Sequence, residues 1–137
     1  MKLRRIPRPS WSRVPRIEVA EVPAEIYSRI CAARELMLKA IDLEVANYLT
    51  NPELVFSSFD EFPSSRRLTG EYYVSDEGYF IDSSRGICRI HVAVRCLGCS
   101  PQGKTQLDDY LGLDVWLECS PECRTFSVYR NTDSSVI

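Results

Sequence analysis

The chain has 137 residues and a net charge of −2, and 45% of its residues are hydrophobic while 26% are charged. This composition is typical of a single globular domain, and no apolar run is long enough to cross a bilayer. The basic N-terminus has no apolar segment behind it, so it does not resemble a secretory signal. We expect a cytoplasmic protein with no membrane partner.

The charge is unevenly distributed along the chain. Residues 1–16 carry six basic side chains, three prolines and no acidic side chain, whereas the remainder carries 11 basic and 19 acidic side chains. We therefore divide the chain into a basic, proline-containing arm at 1–16 and a single α+β domain at 17–137. The arm is expected to fold back on the acidic domain or to form a disordered tail. The alternative is that it binds nucleic acid or another partner through Arg4, Arg5, Arg8 and Trp11.

The first half of the domain shows a change of hydrophobic period. A short strand is predicted at 16–21, and apolar residues then recur at spacings of three and four, which predicts one amphipathic helix over 24–49. Pro52 ends this helix because proline cannot continue the hydrogen-bond ladder. Three phenylalanines spaced by three residues then predict a helical turn within 56–62.

The second half of the domain alternates with a period of two and predicts strands. Segments 71–74 and 79–81 flank a turn-forming sequence at 75–78, which predicts a hairpin. A loop is expected at 97–109. Further strands are predicted at 87–96, 113–119 and 125–129.

One long helix followed by about five antiparallel strands predicts an α+β two-layer sandwich. If the strand at 16–21 joins the sheet, the order β-α-β-β-β-β is similar to cystatin-like or helix-grip architectures. This similarity concerns the fold alone and implies no function.

The strand at 87–96 has the clearest division into two faces. One face is apolar and is expected to be buried under the helix; it consists of Cys88, Ile90, Val92, Val94 and Cys96. The opposite face carries Arg89, His91 and Arg95, and the same face of the following strands adds Trp116 and Tyr129. Because Trp, Tyr and Arg dominate the binding energy of protein interfaces, this outer face is a candidate binding surface. The alternative is that a loop, the arm or a second copy of the chain, in a homodimer, covers it.

Two cysteine pairs approach the spacing of a zinc site, with Cys96 and Cys99 in the first pair and Cys119 and Cys123 in the second. The predicted antiparallel strands place the two pairs at opposite edges of the sheet, roughly 20 Å apart. One zinc ion cannot bridge that distance, so we expect no metal and no cofactor. Cys88 comes near Cys119 in this arrangement, but a disulfide there is disfavoured in a cytosolic protein.

The sequence offers little catalytic chemistry. His91 has no cysteine on its own face, and the carboxylates form no convincing acid–base pair. The leading hypothesis is a non-enzymatic binding protein of inhibitor, immunity or adaptor type that captures a protein on the outer face of its sheet. Two alternatives remain: a zinc-dependent nucleic-acid-binding module, and a small-molecule-binding domain whose pocket is lined by Tyr72, Tyr73, Tyr79 and Phe80.

Overall fold

The computed structural model describes residues 3–10, 15–50, 67–82, 84–99 and 105–129. Within these ranges the chain forms one six-stranded sheet with two helices packed against one of its faces. The elements in chain order are β1 (Arg4–Arg5), β2 (Arg16–Ala20), α1 (Ala24–Ala32), α2 (Arg34–Thr50), β3 (Arg67–Asp82), β4 (Ile87–Cys99), β5 (Thr105–Cys119) and β6 (Phe126–Val128).

The predicted α+β class is confirmed, and β3 to β6 form an antiparallel meander in chain order. Within the described ranges, no helix combines the length and apolar character needed to cross a membrane. The phenylalanine-containing turn predicted within 56–62 lies outside the described residues.

The single helix predicted over 24–49 is two helices. α1 ends at Ala32, the following Ala33 has a φ of −98° and a ψ of 18° that depart from helical values, and α2 begins at Arg34. Alanine is a strong helix former and the apolar spacing continues across it, so the sequence carries no signal for this break. The break places Arg34 in the first turn of α2 and above the sheet.

The N-terminal segment joins the sheet along one edge of β3. β1 and β2 both pair with β3 in the parallel sense, with Arg4 opposite Glu71 and Arg16 opposite Asp76. The Ile6 N–H extends the first pairing by donating to the Tyr72 carbonyl oxygen at 2.8 Å. Because parallel neighbours need a crossover connection, α1 and α2 serve as the crossover between β2 and β3.

The hairpin predicted over 71–81 is wrong, because β3 continues without a turn through 75–78. These residues pair with β4, and an irregularity between Val74 and Asp76 absorbs the extra residue. The Ser75 hydroxyl donates to the Ala93 carbonyl oxygen at 3.1 Å and closes the irregularity on its β4 side. A turn-like composition was therefore accommodated as a bulge within a long strand.

The two faces predicted for 87–96 are confirmed. All five apolar residues of this segment are buried in one core cluster with the helices. The register places Ile90 opposite Tyr79 of β3 and Leu117 of β5, and Cys88 opposite Cys119. β4 extends to Cys99 and β5 begins at Thr105, so the strands occupy both ends of the loop predicted at 97–109.

Candidate binding surface

The outer face of the sheet, away from the helices, brings together four of the residues predicted to bind a partner. His91 lies opposite Trp116 in the β4–β5 register, and Arg89 lies two residues away on the same face. The Tyr129 N–H donates to the Trp116 carbonyl oxygen at 2.7 Å. We call the group formed by Phe80, Arg89, His91, Trp116 and Tyr129 the outer-face cluster.

Trp116 lies between two other rings of the outer-face cluster. Its ring centroid is 4.4 Å from that of His91 and 6.4 Å from that of Phe80, with interplanar angles of 31° and 32°. Trp116 nevertheless remains 36% exposed. These ring contacts hold a large aromatic side chain in one orientation at the protein surface.

Arg89 is held by an aromatic ring and two carboxylates. Its guanidinium carbon lies 4.4 Å from the centroid of the Tyr129 ring, within the range of a cation–π contact. Its nitrogens lie 3.5 Å from Asp82 Oδ2 and 3.4 Å from Glu118 Oε1. The Ser84 hydroxyl, by its hydrogen bond, is the main cause of a lowered pKa of Asp82, and Arg89 contributes further. Arg89 is therefore positioned before any partner arrives.

His91 is oriented by a carboxylate on the neighbouring strand. Its Nε2 lies 2.8 Å from Asp114 Oδ1, and this hydrogen bond is the main cause of a lowered pKa of Asp114. Asp114 is exposed, so the pair is open to solvent. The contact fixes the His91 ring against Trp116 and places a negative charge at the rim of the cluster.

An open pocket of about 430 Å³ lies beside Trp116 on this face. This volume is within the range that ligand and side-chain pockets occupy, roughly 300–1,000 Å³. Its lining combines two aromatic side chains with charged ones; the lining residues are Phe80, Ile81, Asp82, Ser84, Arg89 and Trp116.

Gly78 makes room for one wall of this pocket. A Cβ atom at Gly78 would lie 3.0 Å and 3.1 Å from two carbons of the Phe80 ring, closer than side chains normally approach. The Gly78→Ala substitution is expected to keep the fold, because the ring is the mobile end of a side chain, but to displace Phe80 relative to Trp116. The measurement is Trp116 fluorescence in a Trp11→Phe background, in which we expect a shifted emission maximum. An unchanged spectrum would show that the Phe80 ring does not depend on this glycine.

Arg95 lies apart from the outer-face cluster. It is on the same face of β4, but it is four residues beyond His91, a distance of about 13 Å along the strand. Its register partners are Tyr73 and Gly112. Arg95 therefore lies at the border of the candidate surface and not at its centre.

The basic residues of the arm lie at the far edge of the sheet. Arg4 forms an ion pair with Glu71, and Arg5 Nε lies 3.0 Å from Asp42 Oδ1 of α2. The Arg8 guanidinium donates to the Pro9 carbonyl oxygen. β3 and β4 separate this edge from Trp116, so the structure does not join these arginines to the outer-face cluster. Trp11, the remaining predicted arm residue, lies outside the described residues.

The strand register separates the cysteines of the zinc alternative. Cys119 is opposite Cys88, and Cys96 is eight residues farther along β4, about 26 Å away. A single zinc ion holds its sulfur ligands at about 2.3 Å, so Cys96 and Cys119 cannot share one. Burial raises the pKa of the Cys96 thiol to about 12, which opposes the thiolate form that binds metal.

The structure instead gathers Cys88, Cys119 and Cys123 in the core. A hydrogen bond with Cys88, followed by burial, raises the pKa of the Cys119 thiol. A protonated buried thiol behaves as a small apolar group. Among the residues that the structure describes, no three His, Cys, Asp or Glu side chains are grouped so that they could hold a metal ion.

The four aromatic residues of the small-molecule alternative do not line one pocket. Tyr72 and Tyr79 point into the helix-covered core, whereas Phe80 lies on the outer face beside Trp116. Tyr73 is buried but is not part of that core cluster. Successive side chains of the continuous β3 strand point to opposite faces of the sheet, which separates Tyr72 from Tyr73 and Tyr79 from Phe80.

Sequence reasoning also missed a buried polar cluster under the helix break. Glu77 points inward from β3, is 7% exposed and accepts two hydrogen bonds from the Arg34 guanidinium, at 2.7 Å and 2.9 Å. The Tyr79 hydroxyl donates to the same carboxylate. Burial by itself raises the pKa of Glu77, but the bonds from Arg34 and Tyr79 outweigh it and leave that pKa lowered. Glu77 is therefore charged and paired inside the protein.

Comparisons with protein-family models, curated proteins and solved structures returned no match. The interpretation of the surface therefore depends on its own geometry. That geometry provides a fixed, partly exposed Trp116, a positioned Arg89 and an adjacent pocket, which together can hold an inserted side chain or small group.

Proposed function

We propose that this chain is a non-enzymatic binding protein, of inhibitor, immunity or adaptor type, that captures a partner protein on the outer-face cluster. The observation that carries the proposal is Trp116, which is one-third exposed yet fixed by two rings beside an open pocket. Binding sites in proteins concentrate their energy in such aromatic anchors.

Preorganisation supports this proposal physically. Binding normally costs roughly 0.5–1.5 kcal/mol for each flexible side chain that becomes ordered. Trp116, His91 and Arg89 are already held by ring contacts and by Asp114, Asp82 and Glu118, so much of that cost is met by folding. The expected partner presents an apolar or aromatic side chain to the pocket and polar groups to its charged rim.

The charges favour a protein over nucleic acid as the partner. Arg4 and Arg5 are paired with carboxylates of the acidic domain, and Asp82, Asp114 and Glu118 surround the cluster. Phosphate backbones are held by basic residues whose charges are not already paired, whereas Arg85 and Arg89 on this face both lie against Glu118. Nucleic-acid binding through the arm would require Arg4 and Arg5 to leave these ion pairs.

A small-molecule ligand is the second candidate, and the volume of the pocket favours it. The pocket lies on the outer face rather than between helix and sheet, so Phe80 and Trp116 would contact the ligand. Native mass spectrometry distinguishes the two candidates. A retained small ligand that is lost in Trp116→Ala would support this second function.

We propose in addition that the fold is of the helix-grip or cystatin-like type and that the protein is cytoplasmic. Helices packed across one face of an antiparallel meander support the first proposal. Five of the six cysteines, those whose side chains the structure describes, are free thiols and include the facing pair Cys88 and Cys119, which supports a reducing compartment.

The test is quantitative capture of proteins from the native host with three variants. Trp116→Ala and Arg89→Ala are expected to lose the partners that the wild type captures, by about tenfold or more, because each removes a central anchor. Leu43→Ala is the matched control, since Leu43 is a 73% exposed apolar residue on α2. Circular dichroism must show that all three remain folded. Equal capture by Trp116→Ala and the wild type would contradict the proposed surface.

A further inference from the structure

β2 leaves one edge of the sheet open. It pairs with β3 on one side, and four of its five residues, Arg16 to Val19, are exposed. Ile17 and Val19 are 57% and 42% exposed and lie on the same face of the strand. An exposed strand edge with apolar side chains is a template for pairing with another strand.

The backbone polarity of this edge can be read from Arg16. Its N–H donates to Asp76 Oδ1 and so points toward β3. Because successive residues of a strand direct their N–H and C=O groups to opposite sides, those of Ile17 and Val19 point to the open edge. The edge therefore offers two residues with donors and acceptors for an incoming strand.

We propose that a second copy of this chain pairs with this edge, β2 to β2 and antiparallel, about a two-fold axis at Ile17. In that register, Arg16 of each copy lies opposite Glu18 of the other, and the two Ile17 residues exchange both backbone hydrogen bonds. The Val19 N–H would donate to the Pro15 carbonyl oxygen of the second copy; Pro15 has no N–H, so the Val19 carbonyl oxygen receives no bond in return.

The charges of Arg16 and Glu18 favour the register with its axis at Ile17 over the neighbouring register with its axis at Glu18. A two-fold axis at Glu18 would form as many backbone bonds, but it would place the two Glu18 carboxylates directly opposite each other. The ion pairs of the described residues do not include Arg16 or Glu18, so both charges are available. β3 and β4 lie between β2 and Trp116, so this dimer leaves the outer-face cluster free for its own partner.

The first test is sedimentation equilibrium of the whole chain. The strand is short, so we expect a reversible dimer with a dissociation constant on the order of 10 µM. Arg16→Glu and Glu18→Arg are each expected to weaken it about tenfold or more, because each places like charges opposite one another twice. An equimolar mixture of these variants should dimerise again, since the two sequences complement each other. Glu122→Arg is the control, because this charge reversal lies at the β5–β6 turn.

The second test reads the register directly and avoids charge changes. With the two-fold axis at Ile17, the substitution Ile17→Cys brings two Cα atoms to about 5.5 Å, which a disulfide can span. The substitution Val19→Cys places its two copies about 13 Å apart. Under mild oxidation, only Ile17→Cys should give more cross-linked dimer than the wild type. A wild-type monomer at about 500 µM, a mixture that stays monomeric, or equal cross-linking at both positions would overturn the proposal.

Discussion

Replacing Arg34 by alanine is expected to lower the free energy of unfolding by about 2–3 kcal/mol. Removing one partner of a buried ion pair typically costs about 3–5 kcal/mol, because the other charge is left buried and uncompensated. The Arg34 side chain is 45% exposed, so we reduce this figure for solvent screening. Glu77, at 7% exposed, is the partner that water cannot reach. Urea denaturation followed by circular dichroism measures the loss.

Arg29 provides a closely matched control for this substitution. Its side chain is 46% exposed, nearly the same as that of Arg34, and it also pairs with a glutamate. That partner, Glu25, is 76% exposed, so Arg29→Ala is expected to cost less than about 1 kcal/mol. Equal losses in the two variants would show that the burial of Glu77 does not determine the effect.

The pH dependence of stability tests the same cluster independently. The folded pKa of Glu77 is lowered below its unfolded value of about 4.3, so its stabilisation is complete above that value and is lost as the pH falls through the folded pKa. We expect the wild type to lose stability more steeply than Glu77→Gln as the pH falls below about 4.3. Other carboxylates titrate in both proteins, so the difference between the two curves is the quantity to measure. Parallel curves would contradict a lowered pKa.

The sequence predicted the strand at 87–96 well because burial there follows a strict period of two. A strand covered on one face by helices imposes that pattern, and Arg89 and His91 could be assigned to the open face without any structure. The position of Trp116 opposite His91 depends on the register of two separate strands, which the structure provides. Because the apolar faces of both strands must meet the same helices, the sequence restricts that register only to shifts of two residues.

The sequence misled where local composition and tertiary pairing disagree. Residues 75–78 have the composition of a turn, but pairing with β2 and β4 on both sides keeps them in one strand. That error hid the inward position of Glu77 and the outward position of Phe80. The helix break at Ala33 was also hidden from the sequence. The contact that accompanies it is the ion pair between Arg34 and Glu77, which are far apart in the chain, so local spacing cannot reveal it.

Replacing Leu117 by alanine is expected to lower the free energy of unfolding by about 2–5 kcal/mol. Leu117 is fully buried and lies opposite Ile90 in the centre of the sheet, so truncation leaves a cavity that its rigid neighbours cannot fill. Leu43→Ala is the control, because its 73% exposed side chain should cost less than about 0.5 kcal/mol. Thermal and urea unfolding measure both.

Substitutions at Leu117 and at the adjacent Trp116 are expected to differ in their effect on function. Trp116 precedes Leu117 in β5 and points to the opposite face, so the two substitutions are expected to separate the two faces of the sheet. Leu117→Ala, assayed below its unfolding temperature, should retain partner capture, because it leaves the outer-face cluster in place. Trp116→Ala should abolish capture while the protein remains folded. Loss of capture in folded Leu117→Ala would show that the outer face depends on core packing and not only on its own contacts.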